Sequence, residues 1–237
     1  MRRFIGLLLL AAAGCSGFAA PRPEQLRELA STNAPHAPAI TRYRIHMSLD
    51  SPGLAGEFDG VVLAKHGGGA PVIRIQLFGD LGPKMIDLLA RPDRVAGYFP
   101  QAKEGIDCAL PAEAVPHPLI FMGASLVEHF SEWPSSRVLG LREGPDGFWV
   151  RLRPMIAGME TQAFRESTGR VTISRHSWMY GLSWQENWPT PDELRVSGSG
   201  VSIRVRILER SNEAPARAEM LELKLPADVR LVAGTRK

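Results

Sequence analysis

The chain has 237 residues, of which 44% are hydrophobic and 22% are charged, and its formal net charge is +3. Two of the 28 basic residues, Arg2 and Arg3, lie in the first fourteen positions, so the rest of the chain is close to neutral. Lys and Arg form no long block, and the composition therefore argues against a nucleic-acid-binding protein.

The N-terminus has the three parts of a secretory signal. Met1–Arg3 is basic, Phe4–Ala13 is almost wholly apolar, and small residues precede Cys15. The apolar run is too short for a membrane span, which needs roughly twenty residues. The pattern resembles the bacterial lipoprotein signal, which is cut before a Cys that then carries acyl chains such as palmitate. This resemblance implies a signal peptide over 1–14 and a lipidated Cys15, and the alternative is an ordinary secretory signal with an incidental Cys.

The residues after Cys15 indicate the membrane in which the protein is anchored and the position at which its domain begins. By the same resemblance, Ser16 is not the Asp that often retains such proteins at the inner membrane, so we expect an outer-membrane anchor and a domain facing the periplasm. The small and Pro-containing segment 15–23 is predicted to be a lipidated tether. Residues 24–237 are predicted to be one domain. With Cys15 acylated, Cys108 is the remaining thiol, and this domain must be stable without an internal disulfide.

Two helices are predicted from the spacing of apolar residues. Pro23 and Glu24, followed by Leu26 and Leu29, indicate a short amphipathic helix. A second helix is predicted over Leu119–Phe130, where an apolar stripe includes Met122 and Leu126.

Alternation of apolar and polar residues predicts that most of the chain is β-structure. In Arg42–Asp50 the apolar residues fall on one face, which is typical of a strand with one buried face and one solvent-exposed face. The other regular candidates are Val72–Leu77, Phe148–Arg153, Val171–Arg175, Val201–Ile207 and Met220–Leu225. Gly56–Lys65 and Lys84–Tyr98 are less regular, and about ten strands are predicted in all. His46 and His176 are predicted to lie on the solvent side of their strands.

Two helices cannot cover a flat sheet of ten strands, so strands with one apolar face must curl around it. The predicted fold is mainly β: an incomplete antiparallel β-barrel, or half-barrel, with one or two helices as a lid. Side chains either fill the interior or leave it open for an acyl chain. The candidates for lining such a cavity are Tyr43, Ile45, Met47, Leu49, Met122, Leu126 and Trp178.

A cluster of aromatic residues allows two interpretations. Trp178, Tyr180, Trp184 and Trp188 fall within eleven positions. They could line the mouth of a cavity, since Trp combines a large apolar ring with a polar N–H. Alternatively, they fill the core where two strands meet in a hairpin around Gly181.

Several segments resemble the LolA/LolB family of lipoprotein-sorting proteins. They are the strand Ile73–Phe78, the turn Asp80–Lys84, the strand Met85–Ala90 with Arg91–Val95 after it, and the ending Leu221–Leu225, Pro226 and Asp228-Val229. The resemblance implies a half-barrel whose apolar cavity binds the acyl chains of lipoproteins or lipids, which it receives from a periplasmic carrier protein. It places Leu81 where the family's receptor has an outward loop residue that assists membrane insertion. The alternative is that Leu81 packs on the barrel rim.

No catalytic motif accompanies these features. The sequence lacks a Gly-x-Ser-x-Gly elbow, a His-Glu-x-x-His pair, a phosphate loop and a Cys-x-x-Cys pair, so no enzyme, cofactor or metal is predicted. The predicted function is a lipid-anchored protein that binds acyl chains in lipoprotein or lipid trafficking at the outer membrane. The alternative is a lipid-anchored scaffold in envelope assembly.

Overall fold

The computed structural model describes residues 17–32, 39–51, 54–66, 70–79, 82–110, 118–129, 137–178, 181, 183–198, 200–213 and 218–231. The helices are α1 (Pro23–Thr32) and α2 (Pro118–His129). The strands are β1 (Ala39–Ser51), β2 (Leu54–His66), β3 (Val72–Phe78), β4 (Lys84–Arg91), β5 (Arg94–Phe99), β6 (Glu104–Ala109), β7 (Val138–Gly144), β8 (Gly147–Leu152), β9 (Met159–Glu166), β10 (Val171–Trp178), β11 (Ser183–Thr190), β12 (Glu193–Gly198), β13 (Val201–Glu213) and β14 (Arg230–Leu231).

All of these strands belong to one sheet, in the order β14-β6-β5-β4-β3-β2-β1-β13-β12-β11-β10-β9-β8-β7. Strands β1–β6 form one antiparallel meander and β7–β13 form another, because in each of them every strand pairs with the next one along the chain. The pairing of β1 with β13 joins the two meanders and is called the seam below. The short strand β14 pairs in parallel with β6. The protein is thus a mainly β, open half-barrel, as predicted, with fourteen described strands instead of about ten.

Strand β1 shows how the sequence gives the sheet one buried face. Ile45, Met47 and Leu49 are each no more than 2% exposed, and we call their side of the sheet the inner face. His46 points the other way and contacts Glu57 and Asp59 of β2. Burying a large aliphatic side chain stabilises a fold by about 1.5–3 kcal/mol, so the alternation of β1 determines which face turns inward.

Helix α2 lies on the inner face, and its contacts show that the sheet curls. A Cβ added to Gly123 would lie 3.0 Å from the Ala90 Cβ on β4, so the helix backbone is close to that strand. Elsewhere on the helix, the Ser125 hydroxyl accepts a hydrogen bond from the Trp184 indole N–H on β11. Strands β4 and β11 are six positions apart in the sheet, or about 28 Å if the sheet were flat. Since a helix is only about 10 Å across, the sheet must wrap around α2.

Helix α1 covers the inner face of the other meander. Leu29 is 1% exposed and packs in a cluster with Val150 and Leu152 of β8 and Ala163 of β9. Both helices therefore lie inside the curved sheet, which is the position of the predicted lid. The second helix begins one residue earlier than predicted, and its predicted last residue, Phe130, lies outside the described residues.

Part of the segment that was predicted to be a tether packs on the sheet. Ala19 forms two backbone hydrogen bonds with Leu141 of the edge strand β7, at 2.8 and 2.9 Å. The Arg142 guanidinium lies 4.9 Å from the centroid of the Phe18 ring. The chain is consequently held to β7 only a few positions after Cys15, which itself lies outside the described residues.

The C-terminal segment differs from the prediction. Met220–Leu225 was predicted to be a strand, as the family resemblance also implied, but Ala218–Leu221 is a 3₁₀ helix and residues 222–226 are not in a strand. Leu221 is 6% exposed because it covers Ile40 and Leu63, two apolar residues on the outer face. This outer apolar patch, which the alternation of β1 and β2 leaves uncovered, explains why the segment lies across the sheet instead of joining it.

Candidate functional site

An apolar cavity of about 260 Å³ lies on the inner face, under α2 and on both sides of the seam. Its wall comprises Tyr43, Ile45, Met47, Val62, Met122, Ser125, Leu126, Arg170, Val171, Trp188, Pro191, Leu194, Val196, Ile203, Val205, Ile207 and Arg210. Most of these side chains are aliphatic and buried, whereas Pro191 and Arg210 are exposed. The cavity therefore reaches the surface near these two residues, and we call this end the mouth.

The structure brings together five of the seven residues predicted to line a cavity. Tyr43, Ile45 and Met47 of β1 and Met122 and Leu126 of α2 all lie on the wall. They converge because the curled sheet folds β1 toward the apolar stripe of α2. Their role in binding a ligand remains a prediction.

The other predicted residues lie elsewhere or are not described. Leu49 is buried in the same core, two residues beyond Met47, but it is not on the cavity wall. The side chain of Trp178 lies outside the described part of the chain, as do Cys15 and Leu81. Around Leu81, the described residues Gly79 and Pro83 are joined by a backbone hydrogen bond of 3.0 Å, so the loop between β3 and β4 is short.

Each of the two interpretations of the aromatic cluster fits one of its tryptophans. Strands β10 and β11 pair on either side of Gly181, whose φ is +77°, as expected of a hairpin around that residue. Trp184 is 4% exposed and fills the core against Ser125 of α2. Trp188 is also buried, but its side chain lies on the cavity wall.

Irregularities in three strands shape the mouth. The pairing register shifts in β10 beside Val171, in β11 after Asn187 and in β13 around Leu208. A bulge inserts an extra residue, bends the strand and turns the following side chains to the opposite face. These shifts bring Val171 and Arg210 onto the inner face, at positions that strict alternation would turn outward.

Two arginines line the mouth, and sequence reasoning did not identify either. The Arg170 Nη2 donates a hydrogen bond of 2.7 Å to the backbone carbonyl of Trp188. The Arg210 guanidinium pairs with Asp192 at 2.8 Å. Arg170 follows the turn at Gly169, where φ is +88°, and this turn is the sequence signal that could have located it.

Tyr43 supplies a hydroxyl on the same wall. Burial raises the pKa of Tyr43 above its ordinary value, although the hydrogen bond with Thr41 and the charge of Arg210 act in the opposite direction. The hydroxyl is therefore neutral at physiological pH, and it can donate or accept a hydrogen bond at the edge of an apolar space.

A buried polar cluster lies beside this core, and it corrects the prediction for His176. His176 was predicted to face solvent, but it is 2% exposed. Its Nε2 is 2.8 Å from Glu186 Oε1, its Nδ1 is 3.1 Å from Thr161 Oγ1, and its ring stacks on Trp184. The register shift near Val171 is the physical reason, because it turns the even-numbered residues of β10 inward. His46, in contrast, has a side chain that is 44% exposed.

Glu128 fixes the C-terminal end of α2 over the cavity. Its carboxylate is 2.8 Å from the Arg137 Nη2 and accepts backbone hydrogen bonds from Met155 and Ile156, between β8 and β9. Its side chain is 2% exposed and that of Arg137 is 9% exposed. The lid helix is therefore tied to the second meander by a buried ion pair as well as by the hydrogen bond between Ser125 and Trp184, and it packs on β3, β4 and β5 of the first.

The described residues offer neither a metal centre nor a membrane-spanning helix. Among the described residues, no group of three or more His, Cys, Asp or Glu side chains is arranged to hold a metal ion. In the same part of the chain, neither helix has the length and apolar character needed to cross a bilayer.

Comparison with known proteins gives fold relatives. No protein-family profile and no curated protein matches the sequence. A DUF1329 family protein from Desulfovibrio piger superposes with a TM-score of 0.60 at 9% identity, over 83% of this chain and 94% of that one. A Vibrio parahaemolyticus protein domain, whose name refers to outer membrane lipoprotein sorting, gives 0.59 at 9% identity, over 82% and 93%. The fold implied by the sequence resemblance is thus confirmed: the chain has the half-barrel fold of lipoprotein-sorting domains.

Proposed function

We propose that this protein binds an acyl chain of a lipoprotein or lipid in the cavity under α2, and that it does so as a lipid-anchored protein of the bacterial outer membrane. The observation that carries the proposal is the cavity itself, whose wall is mainly aliphatic and which opens at the surface. Its volume is slightly below the roughly 300–1,000 Å³ of typical small-molecule sites. It therefore suits one apolar chain better than several.

The remaining parts of the proposal come from the N-terminus and from the fold. Acylation at Cys15, after removal of 1–14, would anchor the domain, because two or more chains give stable membrane attachment. The likeness to the Vibrio parahaemolyticus domain supports a role in lipoprotein or lipid trafficking on the periplasmic side. By the family resemblance, a periplasmic carrier would deliver the cargo and Leu81 would contact the membrane. The proposed activity is binding and transfer, without a catalytic step.

A matched pair of substitutions on β2 tests the cavity. Val62 lines the cavity, whereas its neighbour Val61 points to the outer face. Val62→Phe places a ring in the cavity and should weaken the binding of a fluorescent fatty-acyl probe roughly tenfold or more. Val61→Phe makes the same chemical change on the other face and should leave the affinity within about twofold. Thermal unfolding of both variants checks that the fold is intact.

Native mass spectrometry of the protein with Cys15→Ser, which removes the lipid anchor and allows purification without detergent, decides between the proposal and its alternative. A co-purified acyl species that is lost in Val62→Phe and retained in Val61→Phe supports the proposal. An anchor-free protein with an unaltered cavity that carries no lipid and binds no acyl probe contradicts it. That outcome would favour the scaffold, in which the domain docks a protein partner.

A further inference from the structure

The charges on the cavity wall are all of one sign. Among the described residues of the wall, the charged side chains are Arg170 and Arg210, and none is an Asp or a Glu. The other polar side-chain groups of the wall are uncharged: the hydroxyls of Tyr43 and Ser125 and the indole N–H of Trp188. A neutral acyl chain needs no cation, so aliphatic contact does not explain this pair.

The two arginines differ in how far their charge is balanced. Arg210 lies 2.8 Å from Asp192, and its side chain is 46% exposed, so a carboxylate and water both compensate it. Arg170 is half-buried, and its guanidinium donates to the carbonyl of Trp188 at 2.7 Å. Among the described residues, no carboxylate forms an ion pair with Arg170. A guanidinium has five N–H donors in a fork that matches a carboxylate or a phosphate, so Arg170 retains capacity for an anion.

The backbone positions both charges at the mouth and leaves the interior apolar. The turn at Gly169 ends at Arg170, where the Glu166 N–H bonds to the Arg170 carbonyl at 2.8 Å. The extra residue Leu208 turns Arg210 inward, opposite Tyr43. An amphiphile that enters tail first would thus have its tail among Ile203, Val205 and their neighbours, with its head at the arginines.

We propose that the ligand is an anionic amphiphile, whose carboxylate or phosphate head binds Arg170 at the mouth while its acyl chain fills the cavity. This inference rests on the proposed function, since it adds a head-group requirement to the same cavity. It distinguishes a free fatty acid or an anionic phospholipid, whose head group is negatively charged, from an acylated molecule whose head group is neutral.

Photo-crosslinking on the full chain in its membrane tests the proposal. The probes are palmitic acid and hexadecanol, each with a diazirine in the tail, at mildly alkaline pH so that the fatty acid is ionised. We expect the acid to crosslink roughly tenfold more efficiently than the alcohol, because its carboxylate forms a charge-assisted hydrogen bond with Arg170. Arg170→Gln should abolish this preference, because the yield of the acid should fall to that of the alcohol. Arg206→Gln, an equal loss of charge at an exposed residue of the outer face, should preserve it.

Each outcome has one meaning. If neither probe crosslinks to the wild-type chain, the proposed function itself is wrong. If both crosslink equally, or if Arg170→Gln retains the preference, the chain binds acyl groups but the anionic head-group is wrong. Competition with unlabelled palmitate and unlabelled phosphatidylglycerol distinguishes the two sources of the anion, because the true ligand class should displace the palmitic acid probe at the lower concentration.

Discussion

Tyr43 and Arg210 face each other across the seam because Leu208 is an extra residue in β13. The register pairs Ile45 with Ile207 and Tyr43 with Arg210, so three β13 positions separate partners that are two apart on β1. The Arg210 guanidinium carbon lies 6.0 Å from the centroid of the Tyr43 ring. With regular alternation, Glu209 would occupy the inner face instead of Arg210, and a negative charge would stand beside Arg170 at the mouth of the cavity.

The environment of Tyr43 predicts that the stability of the fold decreases at alkaline pH. Burial raises the pKa of Tyr43, so its neutral form is favoured in the folded protein. The associated stability is present below the ordinary Tyr pKa of about 10 and is lost as pH rises through the higher folded value. In an ultraviolet titration, the Tyr43 hydroxyl should ionise above the ordinary range, and Tyr43→Phe should remove that step. If the late step persists in Tyr43→Phe, it belongs to another tyrosine.

We expect the buried ion pair of Glu128 with Arg137 to contribute strongly to the free energy of unfolding, because it holds the lid helix. Glu128→Gln leaves the buried Arg137 without its charge partner, which should lower the free energy of unfolding by about 3–5 kcal/mol. Glu160→Gln provides the control, because Glu160 pairs with Arg151 at the surface and should cost no more than about 1 kcal/mol. Urea denaturation measures both variants.

A double-mutant cycle separates this ion pair from general loss of packing. Glu128→Gln with Arg137→Met should be less destabilised than the sum of the two single variants, because the second change removes the uncompensated charge. Strict additivity would show that the two residues act independently.

Asp87 should make stability depend on pH in the acid range. Burial tends to raise the pKa of Asp87, but hydrogen bonds from Arg74, Lys84 and Gln76 outweigh burial and hold it below the ordinary value. The resulting stability is present above about pH 4, the unfolded value, and is lost as pH falls through the lower folded pKa. Asp87→Asn should lower the free energy of unfolding at neutral pH by about 1–3 kcal/mol.

The difference between wild type and Asp87→Asn should shrink when unfolding is measured at successively lower pH. Asp59→Asn is the control, since the Asp59 side chain is 77% exposed. A difference that stays constant down to the lowest accessible pH would show that the Asp87 carboxylate contributes through shape and not through charge. Arg74, which bonds to Asp87, also donates to the carbonyl of Met220. Asp87→Asn should therefore also loosen the 3₁₀ helix.

Sequence patterns predicted the regular strands well, because local burial decides them. In β1 the alternation extends over nine residues, and the structure places these side chains as the pattern predicted. The prediction failed where one residue is inserted. In β10 the pattern Val171, Thr172, Ile173 suggests that both aliphatic residues face inward, but the register shift turns only Val171 to the inner face and buries His176.

The candidate site was predictable only in part, for a related reason. An apolar stripe identifies the residues of β1 and α2 that meet inside the curled sheet. Arg170 and Arg210 carry no such signal, because bulges and a turn bring them to the mouth from strands that are distant in the sequence. The Met220–Leu225 prediction failed because its outcome depends on Leu221 finding Ile40 and Leu63 on the outer face, which is a tertiary contact.

The seam also governs the order in which the molecule can be assembled. Each meander is built from hairpins between successive strands, whereas Thr41 and Asn212, which meet at the seam, are 171 positions apart in the chain. Contacts between such distant segments close slowly, because chain entropy must be lost before they form. Since the cavity has walls on both sides of the seam, it exists only after this closure, and acyl binding would report that folding is complete.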